Sequence, residues 1–340
     1  MKTVIINGLY LTERLTGVQR FACEIISQLS KYNEISIQIL LPQRAKVINE
    51  FPKNIQIIRY GKLNGRLWEQ ISLPKYCKRQ KLPLLCMGNI APLFFKNSIL
   101  ILHDVIFREK SVYSVWSWRI KTRLLTRAVI YRQRMILTVS EFSKARIIHY
   151  YPKLKHEPVV LCNGWEHMIS LDSEQVKKIP QEFYLSVGSK NPNKNFQYVL
   201  KLAQNNPDKQ FVITGLSKND VSYDTNVKNC YFTGYLNNKQ LKWLYSHCKG
   251  FILPSFYEGF GIPPLEAVAC GCRSLYLSDI EPFREIYGDC AIFFNQYDYD
   301  NTVVLSDYIM TEEKAMALLK KYSWRHAAEQ LYAAMVKLNS

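Results

Sequence analysis

Short apolar runs alternate with amphipathic segments along the first half of the chain. Val4–Ile6 is an apolar run, and Gly17–Leu29 after it carries apolar residues at the three- and four-residue spacing of a helix. The pattern then repeats, with strands predicted at Ile35–Leu41, Ile55–Arg59, Leu84–Met87, Ser98–His103 and Met135–Val139 and helices at Leu67–Arg79, Trp116–Arg134 and Ser143–Tyr150. Such alternation is typical of a parallel sheet covered by helices on both faces.

The alternation stops at Tyr151–Gly164, which contains two prolines, and then resumes. The second series has predicted strands at Phe183–Val187, Gln210–Thr214, Cys230–Thr233, Gly250–Leu253, Ser274–Leu277 and Ala291–Phe294 and helices at Asn195–Gln204, Asn238–Cys248 and Pro264–Ala269. We therefore predict an α/β protein with two Rossmann-like domains, 1–162 and 163–322, whose parallel sheets face each other across a cleft. The remaining segment, 323–340, contains an amphipathic helix (Ser323–Leu338), and its pattern allows it to pack back on the N-terminal domain.

The composition is that of a globular protein with a strong positive charge. Lys and Arg number 45 against 28 Asp and Glu, which gives a net charge of +17. This charge favours anionic partners such as phosphate-rich small molecules, nucleic acid or an acidic membrane surface. The nine Cys residues have no paired spacing, which indicates reduced thiols. The sequence shows no cleavable signal and no apolar run of bilayer length, so we predict a cytoplasmic protein, soluble or held at a membrane surface.

The segment Pro254–Ala267, with the sequence PSFYEGFGIPPLEA, is the most informative about function. Gly259 and Gly261 let the backbone approach a ligand closely, and the helix that follows presents its positive end to an anion. Glu258 and Glu266 offer carboxylates to sugar or ribose hydroxyls. The alternative is an ordinary Gly-Pro turn with two exposed glutamates.

The spacing Glu258-x7-Glu266 resembles the donor-site signature of the family 4 retaining glycosyltransferases, enzymes with the two-domain GT-B fold. The resemblance implies that Glu258 contacts the transferred sugar and that Glu266 holds the ribose hydroxyls of a nucleotide-sugar donor. It also implies that the residues between them line the sugar and phosphate pocket, namely Gly259, Phe260, Gly261 and Ile262.

Other segments follow the same resemblance. Lys194 matches a family lysine on the donor diphosphate, while Ser189 stands where the family commonly has an arginine; neighbouring Lys190 is a candidate to compensate. In the first domain, Gly17 lies in a loop that the family places near the donor phosphates and the acceptor. His103 follows a predicted strand, where it would bond a donor hydroxyl or stabilise charge at the reacting carbon. The catalytic candidates are thus His103, Lys194 and Glu258.

No carboxylate of the first domain is placed by the sequence as a general base. That absence fits a retaining reaction in which the leaving phosphate takes the acceptor proton. The motif Asp298-Tyr-Asp300 has the form of a metal site in other glycosyltransferases, but it lacks their nucleotide-binding context, and we interpret it as a surface turn. Cys270 and Cys272 lie at a helix end, and we predict no bound metal.

The helical region 118–134 interleaves basic and apolar residues, with Arg119, Lys121, Arg123, Arg127, Arg132 and Arg134 among the former. Such a helix can lie on an anionic membrane or receive a charged acceptor; an ordinary covering helix with a solvated face is the alternative.

The resemblance predicts a retaining glycosyltransferase that moves a hexose-type sugar (mannose, rhamnose, glucose or similar) from a nucleoside-diphosphate sugar. The expected acceptor is a saccharide, lipid-linked, in O-antigen or capsule synthesis, with no cofactor beyond the donor. One alternative is a nucleotide-sugar epimerase of the same fold. A more distant one is a basic nucleic-acid-binding protein, but the chain has no helix-turn-helix, zinc-finger or RNA-binding signature, so we expect no nucleic-acid partner.

Overall fold

The computed structural model describes residues 2–13, 15–47, 52, 54–109, 116–220, 226–306 and 308–337. The chain divides into two compact units. The first comprises Met1–Arg108, Val115–Asn163 and Trp324–Ser340, and the second consists mainly of Gly164–Ser323. The division therefore falls between Asn163 and Gly164, and the last helix belongs to the first unit.

The first unit is built on a seven-stranded parallel sheet with the order β3-β2-β1-β4-β5-β6-β7. Its strands are β1 (Lys2–Asn7), β2 (Ile35–Leu41), β3 (Gln56–Arg59), β4 (Leu84–Cys86), β5 (Ser98–Ile101), β6 (Met135–Thr138) and β7 (Val159–Val160). Its helices are α1 (Gly17–Leu29), α2 (Gly65–Leu67), α3 (Leu73–Gln80), α4 (Trp116–Ile130), α5 (Glu141–Tyr150) and α11 (Trp324–Lys337), and a π-helical turn, Trp68–Ser72, joins α2 to α3.

Strand β1 pairs with β2 on one side and with β4 on the other. After β1 the chain crosses to β2 on one side, and after β4 it crosses to β5 on the other side. A crevice therefore opens between the carboxyl ends of β1 and β4. Helix α11 packs on α1, with the Phe21 and Trp324 rings 5.9 Å apart and Tyr32 stacked on Tyr332 at 4.8 Å. The last helix thus completes the covering layer of the first sheet.

The second unit has a six-stranded parallel sheet with the order β10-β9-β8-β11-β12-β13. Its strands are β8 (Tyr184–Val187), β9 (Phe211–Thr214), β10 (Cys230–Gly234), β11 (Gly250–Leu253), β12 (Leu275–Ser278) and β13 (Ile292–Phe294), and its helices are α6 (Phe196–Asn205), α7 (Asn238–His247), α8 (Ile262–Ala269), α9 (Glu281–Tyr287) and α10 (Glu312–Lys321). Strand β8 lies between β9 and β11, so the connections diverge between β8 and β11. A second crevice is expected at that point.

The predicted α/β class and the parallel sheets are confirmed, and most element bounds agree within two residues. Three elements were not predicted: β7, α9 and α10. They are short or contain mainly polar residues, which weakens any periodic signal. The helix predicted at Trp116–Arg134 ends earlier, at Ile130, and Leu338 of the predicted last helix lies outside the described residues. Across the described ranges, no helix is both long enough and apolar enough to cross a bilayer.

Candidate active site

An ion pair joins the two loops at the divergence point of the second sheet. Lys194 ends a short 3-10 turn (Pro192–Lys194) after β8, and Glu258 lies in the loop after β11. The Lys194 Nζ is 2.6 Å from the Glu258 Oε1, and the side chains are 21% and 13% exposed. Sequence reasoning placed both residues at the donor site, and the structure brings them into direct contact.

Two asparagines that the sequence analysis missed fix these loops. The Asn193 side chain donates to the Tyr257 carbonyl at 2.6 Å, and the Asn193 carbonyl accepts from the Phe256 N–H at 2.9 Å. Asn195, in the left-handed conformation with φ of 51°, donates to the Gln296 carbonyl at 2.9 Å. Because Lys194 lies between these anchors, its side chain is directed by a rigid backbone.

Gly261 is the residue of this loop whose conformation only glycine tolerates well. Its φ is +86°, and a Cβ there would run into the ring of Phe283. Tyr287 holds the position from the other side by donating a hydrogen bond from its hydroxyl to the Gly261 carbonyl. Phe260, also buried, meets the Tyr322 ring edge-on at 5.4 Å. The loop is therefore supported by aromatic side chains below it.

The start of α8 offers few amide donors. The helix begins at Ile262, and Pro263 and Pro264 follow without an N–H. The first turn keeps the Ile262 N–H, and the helix contributes its dipole.

Glu266 is buried, with 8% of its surface exposed, and both carboxylate oxygens are bound. Its Oε1 is 2.9 Å from His167 Nε2, and its Oε2 accepts from the Tyr245 hydroxyl at 2.8 Å. Burial, reinforced by the Glu266 carboxylate, raises the pKa of Tyr245 well above its ordinary range, so this hydroxyl stays protonated and donates. The alternative of two exposed glutamates is wrong, since Glu258 is paired and Glu266 is buried.

Ser189 and Lys190 lie in the exposed part of the loop after β8. The Ser189 hydroxyl accepts weakly from the Asn191 N–H at 3.5 Å, and Lys190 pairs with Asp220 at 3.2 Å. Both contacts lie within the surface of the second unit, whereas Lys194 reaches Glu258.

The first unit has a cavity of about 620 Å³ at its own divergence point. Its wall includes Asn7 at the end of β1 and Asn89 after β4. Thr16 and Gln19 also line it and form a capping box at the start of α1, the helix that Gly17 opens. The predicted loop after β1 therefore does border a ligand-sized space.

His103 lies behind this wall in the first unit. It is 7% exposed, its Nε2 donates to the Met87 carbonyl at 3.0 Å, and its backbone N–H donates to the Asn89 Oδ1 at 2.8 Å. Burial lowers its pKa to about 4, so the ring is neutral at physiological pH. His103 therefore acts here as a neutral group with one nitrogen committed to the backbone.

Two carboxylates border the same cavity. Glu69 and Glu13 both line it, and Glu69 is 3% exposed. Glu69 lies in the π-helical turn, 62 residues from its partner Asn7. No short motif marks it, which is why sequence reasoning missed it.

The two signals that the sequence analysis set aside are a turn and a helix end. Asp298 accepts the Asn301 N–H at 2.9 Å in a surface turn, as predicted. Cys270 and Cys272 flank Gly271 at the end of α8, and the nine cysteines are free thiols.

Residues 170–326, which carry the Lys194–Glu258 pair and Glu266, match the model of the family "glycosyl transferases group 1". Residues 170–326 thus carry the sequence pattern of the group 1 glycosyltransferases. The matched segment is nearly the whole of the second unit. The resemblance to glycosyltransferases expected from the Glu258–Glu266 spacing is confirmed for this segment.

Curated relatives and solved structures agree with this family. Serotype-specific mannosyltransferase WbdA of Escherichia coli is 28% identical over 228 residues, which are 60% of this chain and 27% of that protein. The chain thus spans about a quarter of the length of that relative. O-antigen chain mannosyltransferase B of Escherichia coli is 24% identical over 93% of this chain and 94% of its own length. Sucrose-phosphate synthase from Thermosynechococcus elongatus superposes with a TM-score of 0.78 at 15% identity over 99% of both chains, which supports the GT-B fold.

Proposed function

We propose that the chain transfers a hexose, mannose first among the candidates, from a nucleoside-diphosphate sugar to a saccharide acceptor in O-antigen or capsule synthesis. The proposal rests on the Lys194–Glu258 pair. This pair lies at the divergence point of the second sheet, within the segment that matches the glycosyltransferase family. Mannose is favoured because the relatives named above are mannosyltransferases.

In this proposal the second unit binds the donor. Lys194 and the amides around Gly261 stabilise the departing diphosphate, and the dipole of α8 adds to their field. Glu258 accepts hydrogen bonds from the sugar, and Glu266, fixed by His167 and Tyr245, accepts from the ribose. The bond between the anomeric carbon and the diphosphate breaks, and the acceptor oxygen bonds to that carbon. The acceptor proton leaves with the phosphate, which corresponds to retention of configuration.

The proposed location is the cytoplasmic face of a membrane, with a lipid-linked acceptor. Helix α4 supports it: Trp116 and Leu124 are 76% and 66% exposed, and Lys121 and Arg127 are exposed on the same helix face. Arg123, by contrast, points back to the Phe107 and Arg108 carbonyls at 2.8 and 3.1 Å. An exposed face that mixes aromatic, aliphatic and cationic side chains suits an anionic bilayer surface.

The test is incubation of the purified chain with nucleotide-activated mannose, rhamnose, glucose and galactose, with and without an extract of saccharide lipids. We expect nucleoside diphosphate to be released with one donor, and the sugar to appear on the lipid fraction with its anomeric configuration retained. Conversion of a free nucleotide sugar to its epimer without acceptor would favour the epimerase instead. Absence of both reactions would contradict the proposal.

A further inference from the structure

A buried carboxylate is held in place on the wall of the cavity in the first unit. Glu69 Oε1 accepts from the Asn7 side-chain amide at 2.7 Å, and Glu69 Oε2 accepts from the Arg66 guanidinium at 2.7 Å. Asn7 is in turn fixed, because its Oδ1 accepts from the Leu9 N–H at 3.1 Å. Since all three side chains line the cavity, the carboxylate presents its remaining lone pairs at a defined position.

A second polar group borders the cavity from the start of α1. The Gln19 amide donates to the Glu13 Oε2 at 3.0 Å, and the Gln19 Oε1 accepts from the Thr16 N–H at 3.2 Å. Gln19 is only 5% exposed, so this contact is as fixed as the one around Glu69. The wall therefore combines carboxylate oxygens, amides and a hydroxyl, the set that recognises a polyhydroxylated ligand.

The charges of the described lining favour a neutral ligand over an anionic one. Two carboxylates, Glu13 and Glu69, balance the two cations of this lining, Lys46 and Arg66, and Arg66 is committed to Glu69. A phosphate or uronate in this cavity would meet the Glu69 carboxylate, which has 4% of its side chain exposed and is poorly screened. A hydroxyl would donate to it and form a charge-assisted hydrogen bond.

We propose that this cavity binds the neutral saccharide end of the acceptor and that Glu69 is the residue that selects it by accepting hydrogen bonds from its hydroxyls. The inference rests on the proposed function, whose acceptor it specifies. Asn7 and Arg66 are positioning residues that hold the carboxylate. The volume of about 620 Å³ lies within the ~300–1,000 Å³ typical of small-molecule pockets.

The experiment measures ligand binding to the full chain by saturation-transfer NMR. The probes are methyl α-mannoside, its 6-phosphate, and neutral mannose oligosaccharides of two and three residues. Glu69→Gln keeps the shape of the side chain and removes the charge. Glu34→Gln, at an exposed position of the same unit, is the matched control. Nucleotide binding to the second unit, followed by thermal shift, reports separately on the donor site and on folding.

We expect a neutral probe to bind the wild type and Glu34→Gln, and Glu69→Gln to bind it at least tenfold more weakly with its nucleotide shift unchanged. Equal binding by Glu69→Gln, preference for the phosphorylated probe, or no binding of any neutral probe would overturn the assignment of the cavity. Loss of nucleotide binding by the wild type would instead count against the proposed function, so the two failures are distinguishable. A Glu69→Gln chain that also lost nucleotide binding would be misfolded. In that case Asn7→Ser, which loosens the carboxylate without removing it, takes its place. The inference then requires that Asn7→Ser lowers the affinity for the neutral probe several-fold.

Discussion

The ammonium group of Lys194 lies 2.6 Å from the Glu258 carboxylate, across the point where the connections of the second sheet diverge. The two residues are 64 positions apart in sequence and are brought together by the adjacent strands β8 and β11. In the proposed function, the pair places a cation for a diphosphate beside an acceptor for sugar hydroxyls. The proposal thus assigns both functions of a donor site to one contact.

Substitution of Gly261 tests whether the loop must keep its backbone conformation. Gly261→Ala places a Cβ against Phe283 at a φ of +86°, whereas Gly271→Ala meets nothing within 4 Å at a φ of +102°. Both variants carry the cost of a left-handed alanine, about 1 kcal/mol, but only Gly261→Ala adds a clash. We expect Gly261→Ala to lose donor affinity and to melt at a lower temperature than Gly271→Ala. Equal behaviour of the two variants would show that Phe283 does not constrain the loop.

His103 should make the stability of the chain depend on pH. Burial holds its pKa at about 4, against an ordinary value of 6.5. Below pH 6.5 the unfolded chain takes up a proton that the folded chain refuses until about pH 4, so the free energy of unfolding falls as the pH drops through this window. Between pH 7 and pH 5 the loss attributable to His103 is on the order of 2 kcal/mol.

His103→Gln removes that group while a side-chain amide can still donate to Met87. Urea unfolding at pH 7 and pH 5 should therefore show a smaller pH dependence for the variant than for the wild type. Carbon-13 spectra of the histidine ring should report a neutral His103 at pH 5 in the wild type. A protonated ring at that pH would mean that the side chain is not buried as described.

Helix α4 should bind anionic membranes. Co-sedimentation with vesicles rich in phosphatidylglycerol should be lowered on the order of tenfold or more by Lys121→Gln with Arg127→Gln, since each cation near such a surface is worth about 1 kcal/mol. Trp116→Ser with Leu124→Ser should weaken binding at high salt as well. Met316→Ser, a change at a similarly exposed apolar residue of the second unit, serves as control. Binding that persists in both double variants would place the membrane surface elsewhere.

Transfer should proceed without a divalent cation, because in the proposed site Lys194 and the dipole of α8 supply the positive charge that a metal would otherwise bring to the diphosphate. The measurement is the rate of nucleoside diphosphate release after removal of divalent metal with chelator. We expect the rate to stay within about twofold of the untreated rate. Removal of a catalytic metal would instead cost several kcal/mol of transition-state stabilisation and lower the rate far more. A rate that collapses and returns with Mg²⁺ or Mn²⁺ would refute this expectation.

The parallel sheets and the second-unit loop were predictable because their signals are local. Alternating apolar runs mark strands such as Gly250–Leu253, and the spacing between Glu258 and Glu266 is fixed by one loop and one helix. Lys194 was predictable only through the family resemblance, since a single loop lysine has no pattern of its own. Local sequence therefore located the donor loop.

The partners of these residues were not predictable. His167 meets Glu266 across 99 residues, and Asn7 meets Glu69 across 62. Buried polar contacts of this kind depend on which strands become neighbours, and neither periodicity nor composition records that. The cavity of the first unit went unrecognised for the same reason.

The measurement that tests the central claim most directly compares Lys194→Met with Lys190→Met, an exposed lysine of the same loop that pairs with Asp220. The readout is kcat/KM for the nucleotide sugar, with folding verified by circular dichroism. A charge-assisted hydrogen bond to the diphosphate is worth about 1.5–3 kcal/mol, so Lys194→Met should lose roughly 10- to 150-fold while Lys190→Met stays within about threefold of the wild type. Similar small losses in both variants would contradict the assignment of Lys194 and Glu258 to the donor site.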